Sequence, residues 1–251
     1  MNTVIKGRNV SDTWAKAILF LNGNHKEEYN LIAEIENPLE DDLEFREKVN
    51  EILENLEDQS IETVANTIFP SGLENVEKGS DYFYQRFIRL YPNLRKIMVN
   101  SRGTYFGRLV VWNNDGSCTG FNQLGHLIEK LSRERVNGRG IRVMYEMSIY
   151  NPLLDKNTQM GFPCMSFISV KIRGGYIDMT AVYRSQYFIQ KAYGNYLGLG
   201  RLLDFISRQT GFHVGKLTCI ATLGAIKDID KANLISLINI CSPDEQLELE
   251  L

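Results

Sequence analysis

The sequence predicts an α+β domain, and three observations carry that expectation. Helical periodicity fills much of the first half, strands rich in β-branched and aromatic residues dominate the second, and a glycine pair joins two of those strands as a hairpin. The chain has 251 residues, 43% of them apolar and 24% charged, enough for a sizeable core. No internal repeat and no linker composition interrupts it, so a single domain over residues 1–251 is expected.

Ser11 is placed to cap a helix running to about Leu21, closed by "NGN". "YNLIAEIENP" alternates as a strand and stops at Pro38. "DDLEFREKVNEILENLEDQS" reads as an amphipathic helix whose acidic run is a solvated face. "SIETVANTIFP" gives a shorter helix with Ile61, Val64, Ala65 and Ile68 on one face. The aromatic-rich "SDYFYQRFIRLYPNL" and then "RGTYFGRLVVW" follow without a firm assignment. "NQLGHLIEKLSRERV" is a helix with Leu124, Leu127, Ile128 and Leu131 in register.

In the second half, "IRVMYEMSIY", "CMSFISVKI" and "GYIDMTAVYR" have strand composition, and "RGG" joins the last two as a tight turn. "YGNYLGLGRLLDFISRQTG" is a long apolar helix whose Gly194, Gly198 and Gly200 permit close packing. These glycines are not a dinucleotide fingerprint, because no strand feeds into them and no βαβ spacing surrounds them. "KLTCIATLGAI" closes the series as a core strand.

Composition narrows the function classes. Twenty-eight basic against 31 acidic residues leave a net charge of −3, so no global field favours nucleic acid, and no nucleic-acid partner is expected. No run approaches a membrane span and the N-terminal stretch has no apolar signal segment, so a cytoplasmic protein off the membrane is expected. Four cysteines, Cys118, Cys164, Cys219 and Cys241, lie far apart with no C-x-x-C pair. That argues against a zinc site, so no metal is expected, and against a disulfide scaffold. His126 reads as a surface or interface residue; His25 and His213 carry no assignment.

The chemistry concentrates between Cys164 and Asn195. Cys164 follows Pro163 where a strand enters the core, and is either a small apolar filler or a nucleophile. Twenty residues on stand Arg184 and Ser185, and eleven after Arg184 stands Asn195. A two-residue hairpin sets the start of one strand beside the end of the next, so Cys164 and Arg184 are expected to be neighbours. An arginine there favours the thiolate and can grip a phosphate bidentately, with the Ser185 hydroxyl adding a donor. Arg184 as a plain surface residue and Asn195 as a helix cap are the competing readings.

These residues resemble thymidylate synthase and its relatives, the pyrimidine-nucleotide hydroxymethylases. The resemblance rests on Pro163-Cys164, Arg184-Ser185 and Asn195 without a gap, on "NQLGHLIEKL" and on "GTYFGRLVVW". It covers residues 100 to 226 well and the first hundred in outline. It implies a thymidylate-synthase-type fold, a large mixed sheet backed by helices and paired through that sheet into a homodimer. It further implies Cys164 as nucleophile, Arg184 and Ser185 on the phosphate of a pyrimidine nucleotide monophosphate, and Asn195 on the base. Arg139 or Arg142 would reach the partner subunit's phosphate, Glu62 would move protons, and 5,10-methylenetetrahydrofolate would be the one-carbon donor.

The chemistry suits these groups. A pyrimidine C5 becomes nucleophilic only once a thiolate has added at C6, and an amide can both donate to and accept from the base. A carboxylate moves protons at the ring.

The chain also departs from the family pattern. Met165 replaces a histidine, Tyr187 an aspartate and Lys191 a glycine on the folate side, and Gly194 an aromatic. Ala225 and Lys227 replace a histidine and a tyrosine that bind the sugar, and "SPDEQLELEL" ends the chain early. The expectation is a kept nucleophile and phosphate grip with rewritten sugar and folate recognition. Three function classes stay open: a C5 one-carbon transferase, a catalytically lapsed nucleotide-binding or sensor protein, and a purely structural dimer.

Overall fold

The computed structural model describes residues 3–157 and 161–242. In chain order run β1 (Val4–Gly7), α1 (Val10–Gly23), β2 (Glu27–Ile35), α2 (Leu43–Asn55), α3 (Ile61–Ile68), α4 (Gly79–Leu94), α5 (Tyr105–Val110) and α6 (Gln123–Asn137). Then come β3 (Glu146–Ser148), α7 (Pro152–Asp155), β4 (Met165–Arg173), β5 (Tyr176–Tyr183), β6 (Gln186–Tyr187), α8 (Tyr193–Thr210), β7 (His213–Ala225) and α9 (Lys231–Cys241). Five successive helices, α2 to α6, separate the first strands from the later ones, and the strands pair both parallel and antiparallel, which agrees with the α+β expectation. Among the described residues no helix is long and apolar enough to cross a membrane.

The described residues fall into two compact units, one from 3–65, 183–200 and 216–242, the other from 66–157, 161–182 and 201–215. In the first, β1 runs parallel to β2 with Val4 beside Ile32, and β2 runs antiparallel to β7 with Ile35 beside Leu217. Helix α1 crosses over this sheet and buries Val10, Trp14, Ala17, Ile18 and Leu21, a stripe at helical spacing. Its N-cap is Asn9, whose side chain accepts from the Asp12 amide, and not Ser11 as the sequence suggested. Ser11 lies within the first turn and donates its hydroxyl to Asp41. The face of α3 is as expected, with Ile61, Val64, Ala65 and Ile68 all buried.

The second unit is built on aromatic packing. The stretch left unassigned from sequence is α4, which buries Phe83, Tyr84, Phe87 and Tyr91 along one side. Phe83 packs on Phe69 at 5.3 Å and Phe205 at 5.5 Å between ring centroids, and Phe87 meets Phe106 edge-on at 4.7 Å. In this unit β3 pairs antiparallel with β4, Met147 beside Ile168. Strands β4 and β5 join through Gly174 and Gly175, whose φ values of 58° and 88° are those of a mirror-image hairpin turn. Along β4 and β5 the buried side chains Ile168, Val170, Ile177, Met179 and Ala181 alternate with half-exposed Ser169, Lys171, Asp178 and Thr180. One face of these strands is covered and the other is open.

The long strand expected over "IRVMYEMSIY" shrinks to the three residues of β3. Gly138 and Gly140, at φ 60° and 69°, hold the preceding segment out of strand geometry, and Val143 stays 80% exposed.

Candidate active site

In the first unit the chain leaves β5 through a short bend at Arg184 and Ser185, both half-buried, before β6. Thr222 on β7 donates its hydroxyl to the Arg184 carbonyl at 2.7 Å, which anchors the bend. Strand β6 then pairs parallel with the end of β7, Gln186 beside Gly224 and Tyr187 beside Ala225. Phe188–Ala192 forms a single π-turn that runs without a break into α8. Such wide turns recur at functional sites because they redirect the side chains that follow. Two buried contacts hold this one: Trp14 Nε1 donates to the Phe188 carbonyl at 2.7 Å, and Tyr193 Oη donates to Asp41 at 2.7 Å. Burial pushes the Asp41 carboxyl and the Tyr193 phenol upward, which suits a shared hydrogen bond in place of two charges.

Asn195 sits in the first turn of α8, 2% exposed, and its Oδ1 has no hydrogen-bond partner. Asn195 is the third residue of a helix that continues straight from the π-turn, so it is not the helix cap. An unpaired buried acceptor costs about 1–3 kcal/mol unless something satisfies it. Asn195 has company in this unit. Gln186, 2% exposed, has neither side-chain atom paired. Gln190 spends its Nε2 on the Lys227 carbonyl at 2.9 Å and leaves Oε1 unpaired. Sequence reasoning passed over both glutamines. The available signal was two amides in the otherwise apolar and aromatic "QYFIQKAY".

Gly194 sets the approach of α3. A Cβ there would lie 2.6 Å from the Ile61 carbonyl oxygen and 2.6 Å from Val64 Cβ. The first turns of α3 and α8 therefore touch, which puts Glu62 and Asn195 on adjoining turns; Glu62 itself is exposed. Three of the positions where the chain departs from the pattern of the resemblance, Tyr187, Ala225 and Lys227, meet. Tyr187 pairs with Ala225, and the Lys227 ammonium sits 6.0 Å from the Tyr187 ring centre and 3.2 Å from Glu27. Lys191 donates to Gln59 at 2.8 Å.

In the second unit Cys164 is half-buried immediately before β4, with Met165 buried behind it. Burial pushes the Cys219 thiol above its ordinary range and Cys241 up to about 12, which disfavours their thiolates. Arg139 and Arg142 are exposed on the segment between α6 and β3, with no ion-pair partner among the described residues. The buried Glu134 carboxylate accepts from the Ile141 amide at 3.2 Å and orders that segment. The short C-terminus read from the sequence, Pro243 to Leu251, lies outside the described residues.

No protein-family profile matches the chain. Three archaeal proteins that bear the name "Putative thymidylate synthase" are similar to it. The one from Methanosarcina acetivorans is 24% identical over 239 residues, 90% of each chain. That from Methanosarcina mazei is 25% identical over the same shares, and that from Methanosarcina barkeri is 31% identical over 51% of this chain and 54% of its own. The similarity is to distant thymidylate-synthase-like proteins. It runs along nearly the whole chain, including the first hundred residues, where the sequence resemblance was only an outline.

Proposed function

We propose that this protein is a C5 one-carbon transferase acting on a pyrimidine nucleotide 5′-monophosphate, with a thymidylate-synthase-type fold. The observation that carries the reading is Asn195: a fully buried amide whose acceptor is unpaired, at the position where the resemblance puts the base-reading group. In this reading the Cys164 thiolate adds to C6 of the ring and the electron pair moves to C5, which attacks the one-carbon donor. Loss of the C5 proton and departure of the carrier leave a methylene at C5. Addition of water to it, as the thiolate is expelled from C6, gives the hydroxymethyl product, and a hydride from the donor in place of water gives the methyl product. Arg184 and Ser185 bind the phosphate, Asn195 donates to and accepts from the base, and Glu62, exposed beside it, carries protons to and from bulk water.

The donor that the resemblance implies is 5,10-methylenetetrahydrofolate, and the residues on that side do not fit it. A tyrosine stands at position 187 in place of a carboxylate, Lys227 covers its ring, and Lys191 is tied to Gln59. The chain's own residues account for activation of C5; the donor is a one-carbon carrier of another shape. We further read the protein as a cytoplasmic homodimer that pairs through the open face of its strands and lends Arg139 or Arg142 to the partner's phosphate. It acts on no nucleic acid or membrane.

The same altered positions favour a second reading, a nucleotide-binding or sensor protein that has lost transfer. One experiment separates the two. The protein is incubated with 5-fluoro-dUMP and 5-fluoro-dCMP and its intact mass measured, with binding followed by calorimetry. A covalent adduct lost in Cys164→Ser supports the transferase. Binding without an adduct supports the sensor, and absence of binding overturns both.

A further inference from the structure

The second unit holds a cavity of about 340 Å³ that none of the chemistry above uses. The first two turns of α4 and of α6 line it, bringing together Asp81, Tyr84, Phe121, His126 and Glu129. Tyr84 is the buried member of the lining, 5% exposed, and its hydroxyl has no hydrogen-bond partner. Burial, and then the charge of Asp81, raise the Tyr84 phenol above its ordinary range, so the oxygen stays protonated with a lone pair to offer. Phe121 is 53% exposed, with its ring 5.3 Å from that of His126, a flat apolar plate held open to solvent. Among the described residues no group of three His, Cys, Asp or Glu side chains is placed to hold a metal ion. The chemistry of the lining therefore points to an organic ligand.

Charge decides which kind. The N-termini of two helices each present roughly half a positive charge, and two carboxylates stand against them, Glu129 sharing its charge with Arg133 on the solvent side. Asp81 has no ion-pair partner among the described residues, and Glu129 meets only Arg133, at 3.4 Å on the exposed side of α6. The carboxylates accept hydrogen bonds and do not donate, and the Tyr84 oxygen can accept as well. A ligand matching this set sets a positive charge and its donors on the carboxylates, a polar atom on the Tyr84 hydroxyl, and a flat body on Phe121.

We infer that this cavity binds a small planar monocation, an amidinium or guanidinium on a flat apolar body. Its charged end lies on Asp81 and Glu129, with Tyr84 as a further acceptor, and its body lies against Phe121.

Benzamidine is the probe, and benzamide, the neutral molecule of the same shape, is the control. Titrations of the full chain by calorimetry and ligand-observed NMR should give saturable benzamidine binding, with benzamide weaker by at least about tenfold. Asp81→Asn and Glu129→Gln should each weaken benzamidine by about tenfold, because each removes a charge-assisted contact. Phe121→Ala should weaken both compounds, and 5-fluoro-dUMP binding should stay as in the parent throughout. Equal affinity for benzamidine and benzamide would overturn the assignment. So would benzamidine binding that survives Glu129→Gln and Phe121→Ala, two exposed positions whose replacement leaves the fold intact even if Asp81→Asn loosens the start of α4.

Discussion

Gly194 packs directly on the Ile61 carbonyl oxygen, leaving 2.6 Å for a Cβ that is not there. The contact joins the first turn of α3 to the first turn of α8, and with them Glu62 to Asn195. Because the obstacle is backbone, a side chain cannot be accommodated by rotating a neighbour. Gly194→Ala should cost about 1–3 kcal/mol in urea unfolding, and Gly194→Phe more, with a parallel loss of nucleotide affinity. An unchanged midpoint for both would mean that the two helices approach less closely.

Arg108 and Asp155 form a second close pair, within the second unit. Both are buried, and the guanidinium donates Nη1 to Oδ2 and Nη2 to Oδ1, each at 2.8 Å. Burial pushes the Asp155 carboxyl up, but the Arg108 hydrogen bonds, the Asn151 amide and the arginine charge outweigh it and hold the group below its ordinary range. A depressed folded pKa contributes stability that is complete above the unfolded value and is lost as pH falls through the folded one. Stability should therefore decline below about pH 4 in the parent. Asp155→Asn should remove this group's share of that decline and cost about 3–5 kcal/mol at pH 7, since Arg108 is left buried and unpaired. Denaturant titrations at pH 7, 5 and 3 check both parts. Parallel pH profiles for parent and variant would contradict the assignment.

Periodicity and turn chemistry specify the β4–β5 hairpin and the buried stripe of α3, and the structure reproduces both. The glycine pair at 174 and 175 specifies its hairpin locally, since only a residue without a Cβ takes both positive φ values cheaply. The stripe in α3 is equally local. What was not legible depends on contacts distant in sequence. The aromatics of α4 do recur at helical spacing, Phe83, Phe87 and Tyr91 four apart, but Tyr82 and Pro92 interrupt the pattern, and Phe69, Phe106 and Phe205, distant in sequence, give them a core. Ser11 looked like a cap because capping chemistry is shared by neighbouring residues, and its hydroxyl is taken by Asp41, thirty positions away. The orphaned amides of Gln186 and Asn195 are properties of a folded interior. A sequence gives the amide but not its isolation.

Arg184 is proposed to bind through charge on the phosphate, and that makes a difference measurement available. Arg184→Ala should weaken nucleotide monophosphates by about 2–3 kcal/mol, the loss of a charge-assisted bidentate contact. The matching nucleosides carry no phosphate and should bind parent and variant alike. Calorimetry with dUMP and deoxyuridine gives both numbers. Equal losses for the two would make the arginine a structural support of the bend that Thr222 anchors.

Asn195 carries the most specific expectation. An amide offers N–H to O4 of uracil and its carbonyl to N3–H, so one fixed side chain meets a donor and an acceptor. Cytosine presents an amino group at C4 and an unprotonated N3, which reverses both requirements. A carboxylate accepts from the amino group, and when protonated it also donates to N3. Position 195 is buried: the residue is 2% exposed and its Oδ1 has no protein partner, and in the proposed reading the base supplies that partner. In such a setting a mismatched base leaves two buried groups unsatisfied, and the cost of each is about 1–3 kcal/mol. Parent protein should therefore prefer dUMP over dCMP, and Asn195→Asp should shift the ratio of affinities toward dCMP by at least about tenfold. Asn195→Ala should lose affinity for both without a change of preference. If the ratio is the same in parent and Asn195→Asp, the amide does not read the base, and its unpaired oxygen must be satisfied by water inside the first unit.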